Sequence, residues 1–142
     1  AIVLAIVQRQ LDEKRQLIRA LHSSEQFAAD PLRVFEEWCA QASQSMSVAL
    51  FLEMSAEATR DPRIAEALRV SDAATRAEFT AWLSRSRAEG GLGLSDTEAA
   101  QRALEARFLV DGLAVRAARE PGIDRQELRS AVQGMVGRIL GK

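Results

Sequence analysis

The side chains that most often perform catalysis or bind metals are scarce in this chain. It has one histidine, His22, and one cysteine, Cys39, among its 142 residues. A single histidine excludes multi-histidine zinc sites and the paired Glu-x-x-His motifs of di-iron bundles, and a single cysteine excludes an internal disulfide framework. We expect His22 to cap a helix end and Cys39 to be a small buried hydrophobe. The sequence therefore predicts no enzyme, no metal site and no cofactor.

Large apolar side chains recur at helical spacing and could line a cavity for a small molecule. Methionine suits such a cavity because its flexible thioether adapts to irregular shapes. The same residues could instead form an ordinary hydrophobic core, and their spacing fits both interpretations. The apolar candidates for ligand contact are Phe35, Trp38, Met46, Phe51, Met54, Phe79 and Trp82.

Two charged residues within apolar runs are further candidates for ligand contact. Glu53 stands among apolar neighbours, and a buried carboxylate requires a partner, which could be a cationic ligand held against the rings of Trp38 and Trp82. The plainer interpretation is that Glu53 is solvated or paired with an arginine of the protein. Arg107 could neutralise an acidic effector, although its spacing to Asp111 also fits an ordinary ion pair within one helix.

Capping signals divide the chain into helices that would position these residues. Asp-Pro pairs at 30–31 and 61–62 favour helix starts, as do a capping box over 95–98 and a weaker one over 124–127. Glycines at 90, 91 and 93 and the Pro-Gly pair at 121–122 indicate helix ends. The predicted fold is an all-α antiparallel bundle of about six helices, with a loop over 22–29. The predicted helices are 1–22, 31–44, 46–60, 62–89, 95–119 and 125–140.

The apolar start of the chain predicts neither a membrane span nor a signal peptide. The run ends after seven residues, far short of the ~20 that a bilayer needs, and no basic stretch precedes it. The helical pattern is already under way at Ala1, so we interpret residues 1–22 as a truncated helix, followed by one domain over 23–142. We expect a cytoplasmic protein without membrane contact. The apolar stripe of this helix consists of Leu4, Val7, Leu11, Ile18 and Leu21.

The charge balance argues against nucleic-acid binding by this chain itself. It has 19 Lys and Arg against 20 Asp and Glu, a formal net charge of −1. Binding to phosphates needs clustered excess Lys and Arg, which this balance does not supply. DNA is therefore not an expected partner of the chain alone.

The order of these signals over residues 34–140 resembles the C-terminal regulatory domain of TetR-family transcriptional regulators, in the subgroup of the choline-responsive repressors. The resemblance implies a homodimer with a small apolar or amphipathic effector that alters the operator affinity of the intact protein, a repressor. It also implies that residues 1–22 lead to a DNA-binding head, which this chain lacks. The matching segments are Glu57-Ala-Thr-Arg60, Asp61-Pro-Arg-Ile-Ala65, Arg87-Ala-Glu-Gly90, Ser95-Asp-Thr-Glu-Ala-Ala100 and Leu109-Val-Asp-Gly-Leu113.

The last two predicted helices also favour a dimer. The helix over 95–119 has two apolar stripes where a surface helix usually has one, and the last helix has small residues beside a stripe of Leu128, Val132, Met135 and Ile139. We expect these small faces to meet a twofold partner, although both stripes could instead be internal core. The predicted interface residues are Leu104, Phe108, Gly112, Val115, Ala131, Gly134 and Gly137.

An alternative function is a helical protein-interaction or structural module that binds no ligand. Its double-striped helices would then serve to hold a partner chain. The resemblance favours the ligand sensor, whereas apolar residues at helical spacing alone fit both functions.

Overall fold

A computed structural model of the chain describes residues 2–22, 25–30, 33–34, 37 and 47–140. Every regular element in these ranges is helical, as the all-α prediction requires. Six α-helices are described, and a short 3₁₀ turn at Arg87–Glu89 lies between the fourth and the fifth. In chain order the helices are α1 (Ile2–His22), α2 (Glu25–Ala29), α3 (Ser47–Ala58), α4 (Pro62–Ser84), α5 (Asp96–Arg119) and α6 (Arg125–Ile139).

The long helices begin where the capping signals predicted. The Asp61 carboxylate accepts a hydrogen bond from the backbone N–H of Arg63 at 2.9 Å, and Pro62 occupies the first turn of α4. Ser95 Oγ accepts from the backbone N–H of Glu98 at 3.2 Å at the start of α5. These bonds satisfy amide groups that have no partner within the helix, which fixes the start of each helix.

The predicted helix 62–89 is too long, because α4 ends at Ser84. The chain then turns back, and the backbone N–H of Leu94 donates to the carbonyl of Leu83 at 3.0 Å. A side chain on Gly91 would clash with the carbonyl oxygens of Trp82 and Arg85, so only glycine allows this close return. Loop amides thus donate to carbonyl groups at the end of α4, which would otherwise bond to the amides of a further helical turn.

Two further boundaries concern the region before α3. The predicted loop 22–29 is wrong in part, because residues 25–29 form the short helix α2. Glu25 lies in its first turn, where a negative charge stabilises the helix N-terminus. The predicted helix 31–44 lies almost entirely outside the described residues, and the predicted helix 46–60 corresponds to α3.

Contacts between helices define their directions. Arg76 at the C-terminal part of α4 donates to the carbonyl of Ala100 near the start of α5 at 3.2 Å, so these helices are antiparallel. Arg102 likewise donates to the carbonyl of Arg138 at 3.1 Å, which makes α6 antiparallel to α5. By contrast, α1 runs in the same direction as α4. Its first half packs against the first turns of α4, and its Arg19 pairs with Glu78 at 2.7 Å.

Most buried apolar side chains in the described ranges form two separate clusters, and Ile18 of α1 is buried outside both. The small cluster joins α1, α3 and α4 through four buried residues, Val7, Leu11, Met54 and Ile64. The large core joins α4, α5 and α6, and Val34 packs against it. Its buried residues are Val34, Phe79, Trp82, Leu83, Ala99, Ala103, Ala106, Leu109, Leu128, Val132, Val136, Ile139 and Leu140.

Candidate functional site

Charged side chains from three helices meet alongside the small cluster. Lys14 comes from α1, Asp72 from the middle of α4, and Arg107 and Asp111 from consecutive turns of α5. We call these four residues the charged layer. On α4, Asp72 directly follows Ser71, which is a buried polar residue. Ser71 stands between the part of α4 that enters the small cluster and the part that enters the large core. Such a layer is unusual beside a core, because partly buried charges require partners.

Arg107 is the centre of the charged layer. Its Nη2 lies 3.0 Å from Asp72 Oδ1 on the neighbouring helix, and its side chain is 23% exposed. Its Nε lies 3.2 Å from Asp111 Oδ1, which confirms the ion pair that the sequence spacing suggested. Asp111 Oδ1 is nevertheless buried without an aligned hydrogen bond. Arg107 therefore compensates both carboxylates of the layer, but it leaves the hydrogen-bonding capacity of Asp111 incompletely used.

Lys14 is the second cation of the charged layer and is compensated less well. Its Nζ lies 5.6 Å from the centroid of the Phe51 ring, within the range of a cation–π contact. Burial and the nearby charge of Arg107 lower the pKa of Lys14 below its usual 10.5, and the carboxylates of Asp72 and Asp111 oppose this only in part. The ammonium form of Lys14 is thus disfavoured where it stands.

The pKa of Asp111 is shifted in the opposite direction to that of Lys14. Burial raises the pKa of this carboxyl above its usual 3.8, and the like charge of Asp72 acts in the same direction. The cations Arg107 and Lys14 oppose that rise. Since both Lys14 and Asp111 are shifted towards their neutral forms, the layer is a place where partly desolvated polar groups lack full compensation. Such perturbed groups are common at binding sites.

The residues predicted for ligand contact do not all lie at the charged layer. Arg107 belongs to it and Phe51 lies against its Lys14, whereas Met54 is buried in the small cluster. The Glu53 side chain is exposed on α3, which agrees with the solvated alternative and not with a buried carboxylate that needs a cationic ligand. Glu53 stands on the outer side of a short helix, although its neighbours in the sequence on either side are apolar. Three predicted residues, Phe35, Trp38 and Met46, lie outside the described residues.

The remaining two predicted aromatic residues lie in the large core. Phe79 and Trp82 stack with ring centroids 5.7 Å apart and an angle of 18° between the ring planes. Trp82 Nε1 donates to the carbonyl of Gly90 at 3.1 Å. This bond holds the loop after α4 against the end of that helix, so the described contacts of Trp82 are those of a packed core residue.

Sequence reasoning missed Lys14 and Asp72, although a signal for Lys14 exists. The apolar stripe of α1 has a gap between Leu11 and Ile18, and Lys14 fills the position where the next apolar residue is due. A charge in the middle of a buried stripe is a recognisable sign of a buried polar contact. Asp72 gives no comparable signal, because its partner Arg107 is 35 positions away in the sequence.

The predicted interface residues of α5 lie on an open face. Phe108 is 64% exposed, and Val115 is 40% exposed. Leu104 is half-buried, and a side chain added at Gly112 would meet nothing within 4 Å. The opposite side of the helix, with Ala99, Ala103, Ala106 and Leu109, is buried in the large core. The structure thus separates the two apolar stripes, one inward and one outward.

The corresponding face of α6 is also open. Ala131 is exposed, while Gly134 and Gly137 are half-buried. The predicted core stripe of α6 is wrong at one position, since Met135 is 39% exposed and Val136 is buried instead. At 3.6 residues per turn, positions 135 and 136 lie three and four residues after Val132, on the two borders of the α6 core stripe. Periodicity alone therefore did not decide which of the two is buried. Met135 therefore adds a large apolar side chain to the outward surface.

No helix in the described ranges is both long and apolar enough to cross a membrane. The fold is that of an all-helical domain, and comparison with protein families identifies its class. The family model of the BetI-type transcriptional repressor C-terminal domain matches residues 28–141. The chain therefore belongs to this family and is a C-terminal regulatory domain of a TetR-family transcription regulator, a non-enzymatic kind of protein. Searches of curated proteins and of solved structures gave no match.

Proposed function

We propose that this domain forms a homodimer through the outward face of α5 and α6 and senses a small apolar or amphipathic ligand. In the intact regulator, a repressor, α1 leads to a DNA-binding head, and the ligand changes the operator affinity of that head. The observation that carries the proposal is the exposed Phe108 beside the bare backbone of Gly112, on a helix whose other face is fully packed.

The dimer follows from the energetics of this face. Burial of a phenylalanine side chain contributes about 1.5–3 kcal/mol relative to exposure in water. In a twofold interface each residue is used twice, so Phe108, Val115 and Met135 from two copies would together bury a substantial apolar area. Gly112 would let the two backbones approach closely at the centre, which offsets the cost of a glycine within a helix.

Substitution of Gly112 by leucine tests the dimer directly. The added side chain has open space in the monomer, and loss of the helical glycine stabilises α5 by about 1 kcal/mol. We expect Gly112→Leu to remain folded by circular dichroism and to sediment as a monomer, whereas the unmodified chain sediments as a dimer. The matched control is Ala77→Leu on an exposed position of α4, which should leave the dimer intact. A dimeric Gly112→Leu variant would show that this face is not the interface.

Ligand sensing is supported by the position of the charged layer. It joins α1 to the body of the domain and contains polar groups that are only partly compensated. A ligand bound there would favour one arrangement of α1 over another by the difference between its affinities for the two arrangements. Movement of α1 would then alter the spacing of the two heads in the dimer.

A thermal-shift screen of small molecules that vary in charge and apolar size tests ligand sensing. We expect several compounds to raise the unfolding temperature in a concentration-dependent way, as a ligand that binds only the folded state must. If no compound does so while the dimer remains intact, the domain is the ligand-free interaction module instead.

A further inference from the structure

We infer that Lys14 binds the anionic group of an amphipathic carboxylate, whose apolar body lies against Phe51. The inference rests on the proposed ligand-sensing function and specifies the chemistry of the ligand. It also assigns the contact to α1, the helix that would carry the signal.

Within the described ranges, Lys14 has no paired anion. Both carboxylates of the charged layer lie within ion-pair distance of Arg107, at 3.0 Å for Asp72 and 3.2 Å for Asp111. Among the described residues, no carboxylate oxygen lies within 4 Å of Lys14 Nζ, and the contact described for this ammonium is the ring of Phe51. Lys14 is partly buried, and its ammonium makes no hydrogen bond to any residue that the structure describes, so it retains unused donors there.

Arg107 is a poorer anion-binding group than Lys14. An incoming carboxylate at Arg107 would have to displace Asp72 or Asp111, or lie beside both of them. Like charges at such distances repel, whereas at Lys14 a carboxylate can accept from the unused ammonium donors without displacing either aspartate. A cationic ligand meets the opposite difficulty, because Lys14 and Arg107 would repel it and both carboxylates already pair with Arg107.

The apolar part of the ligand would lie against Phe51 and the edge of the small cluster. The Phe51 ring is half-buried, and Lys14 Nζ lies 5.6 Å from its centroid. The small cluster begins next to it, since Leu50 packs there and Met54 is one turn further along α3. A ligand with its carboxylate on Lys14 would therefore have an apolar surface for its body, which favours an amphipathic acid over a small inorganic anion.

The position of Lys14 gives this contact a regulatory consequence. The side chain belongs to α1, whose contacts with the body include the small cluster, the buried Ile18 and the Arg19–Glu78 pair at 2.7 Å. A carboxylate that bridges Lys14 and the body would favour the arrangement in which α1 lies close to α3 and α4. The ligand would thus act on α1 itself, without a relay through the large core.

Isothermal titration calorimetry of the full 142-residue chain with three probes of equal chain length tests the inference. The probes are octanoate, octan-1-ol and octyltrimethylammonium. We expect octanoate to bind most tightly, and Lys14→Met to weaken octanoate at least about tenfold, as loss of a charge-assisted hydrogen bond does. Lys14→Arg should retain most of the affinity. The control Arg9→Met removes an 80%-exposed cation of the same helix and should change nothing.

Several outcomes would overturn the inference. They are tighter binding of octyltrimethylammonium than of octanoate, equal octanoate affinity in Lys14→Met and the unmodified chain, and no binding of any probe. The selectivity among probes on the unmodified chain is independent of any variant, so a folding defect cannot obscure the result. If the thermal-shift screen yields neutral or cationic ligands while octanoate fails to bind, ligand sensing stands and the assignment to Lys14 falls.

Discussion

The two apolar clusters differ in size, and this difference divides the domain into a firm body and an adjustable end. Among the described residues, the large core has 13 buried members, mostly on α4, α5 and α6, whereas the small cluster that contacts α1 has four. The small cluster also borders the charged layer, where Lys14 and Asp111 lack full compensation. If α1 is held mainly by this smaller cluster and by incompletely paired charges, it can be repositioned at a low cost in free energy.

The largest expected effect comes from truncation of one leucine in each cluster. Leu83 is fully buried in the large core, and we expect Leu83→Ala to reduce the free energy of unfolding by about 3–5 kcal/mol. Leu11→Ala, in the small cluster, should cost about 2–3 kcal/mol because that site can relax. Urea denaturation of both variants at one protein concentration measures the difference. Equal losses would remove the distinction between a firm and an adjustable region.

An intermediate effect is expected from loss of the central cation of the charged layer. Arg107→Met leaves the carboxylates of Asp72 and Asp111 without a partner, and we expect a loss of about 1–2 kcal/mol, since both are partly exposed. The double variant with Asp111→Asn should recover part of that loss in the same urea titration. A loss below about 0.5 kcal/mol would mean that the layer is no more than a set of solvated surface charges.

The smallest effect concerns the dependence of stability on pH. The folded-state pKa of Lys14 is below its unfolded value of 10.5, so the unfolded chain binds the extra proton between these two values. Stability attributable to Lys14 should therefore rise as the pH increases through that window, and its cost is fully present at lower pH. The groups that face Lys14 are Asp72, Arg107 and Asp111, with the ring of Phe51.

The difference between the unmodified chain and Lys14→Met isolates this dependence. At neutral pH we expect Lys14→Met to have a higher free energy of unfolding than the unmodified chain, and this difference should shrink as the pH approaches 10.5. Urea denaturation at each pH measures the difference. A difference that stays constant with pH would show that Lys14 is as well solvated in the folded chain as in the unfolded one.

Much of the fold was predictable because its signals are local. The starts of α4, α5 and α6 are set by capping groups two or three residues from the amides that they satisfy, so Asp61, Ser95 and Asp124 mark them in the sequence. The end of α4 was not predictable in this way. It depends on the return of the chain at Gly91, which packs against atoms of Trp82 and Arg85.

The candidate site was less predictable, because its geometry depends on contacts between helices. The Arg107–Asp111 pair could be predicted from a spacing of four residues within one helix. The Arg107–Asp72 pair and the approach of Lys14 to Phe51 require the packing of α1, α3, α4 and α5 to be known first. The outward direction of Phe108 likewise follows only once the large core has taken the other face of α5.

Native-state hydrogen exchange of the unliganded chain tests the division into body and adjustable end most directly. Amides of residues 11–18 in α1 are expected to exchange through a local opening of lower free energy than amides of residues 103–109 in α5. In that case α1 separates from the body while α4, α5 and α6 remain packed. If the two segments exchange with equal protection at the level of global unfolding, α1 is part of the firm body, and the proposed response through α1 is contradicted.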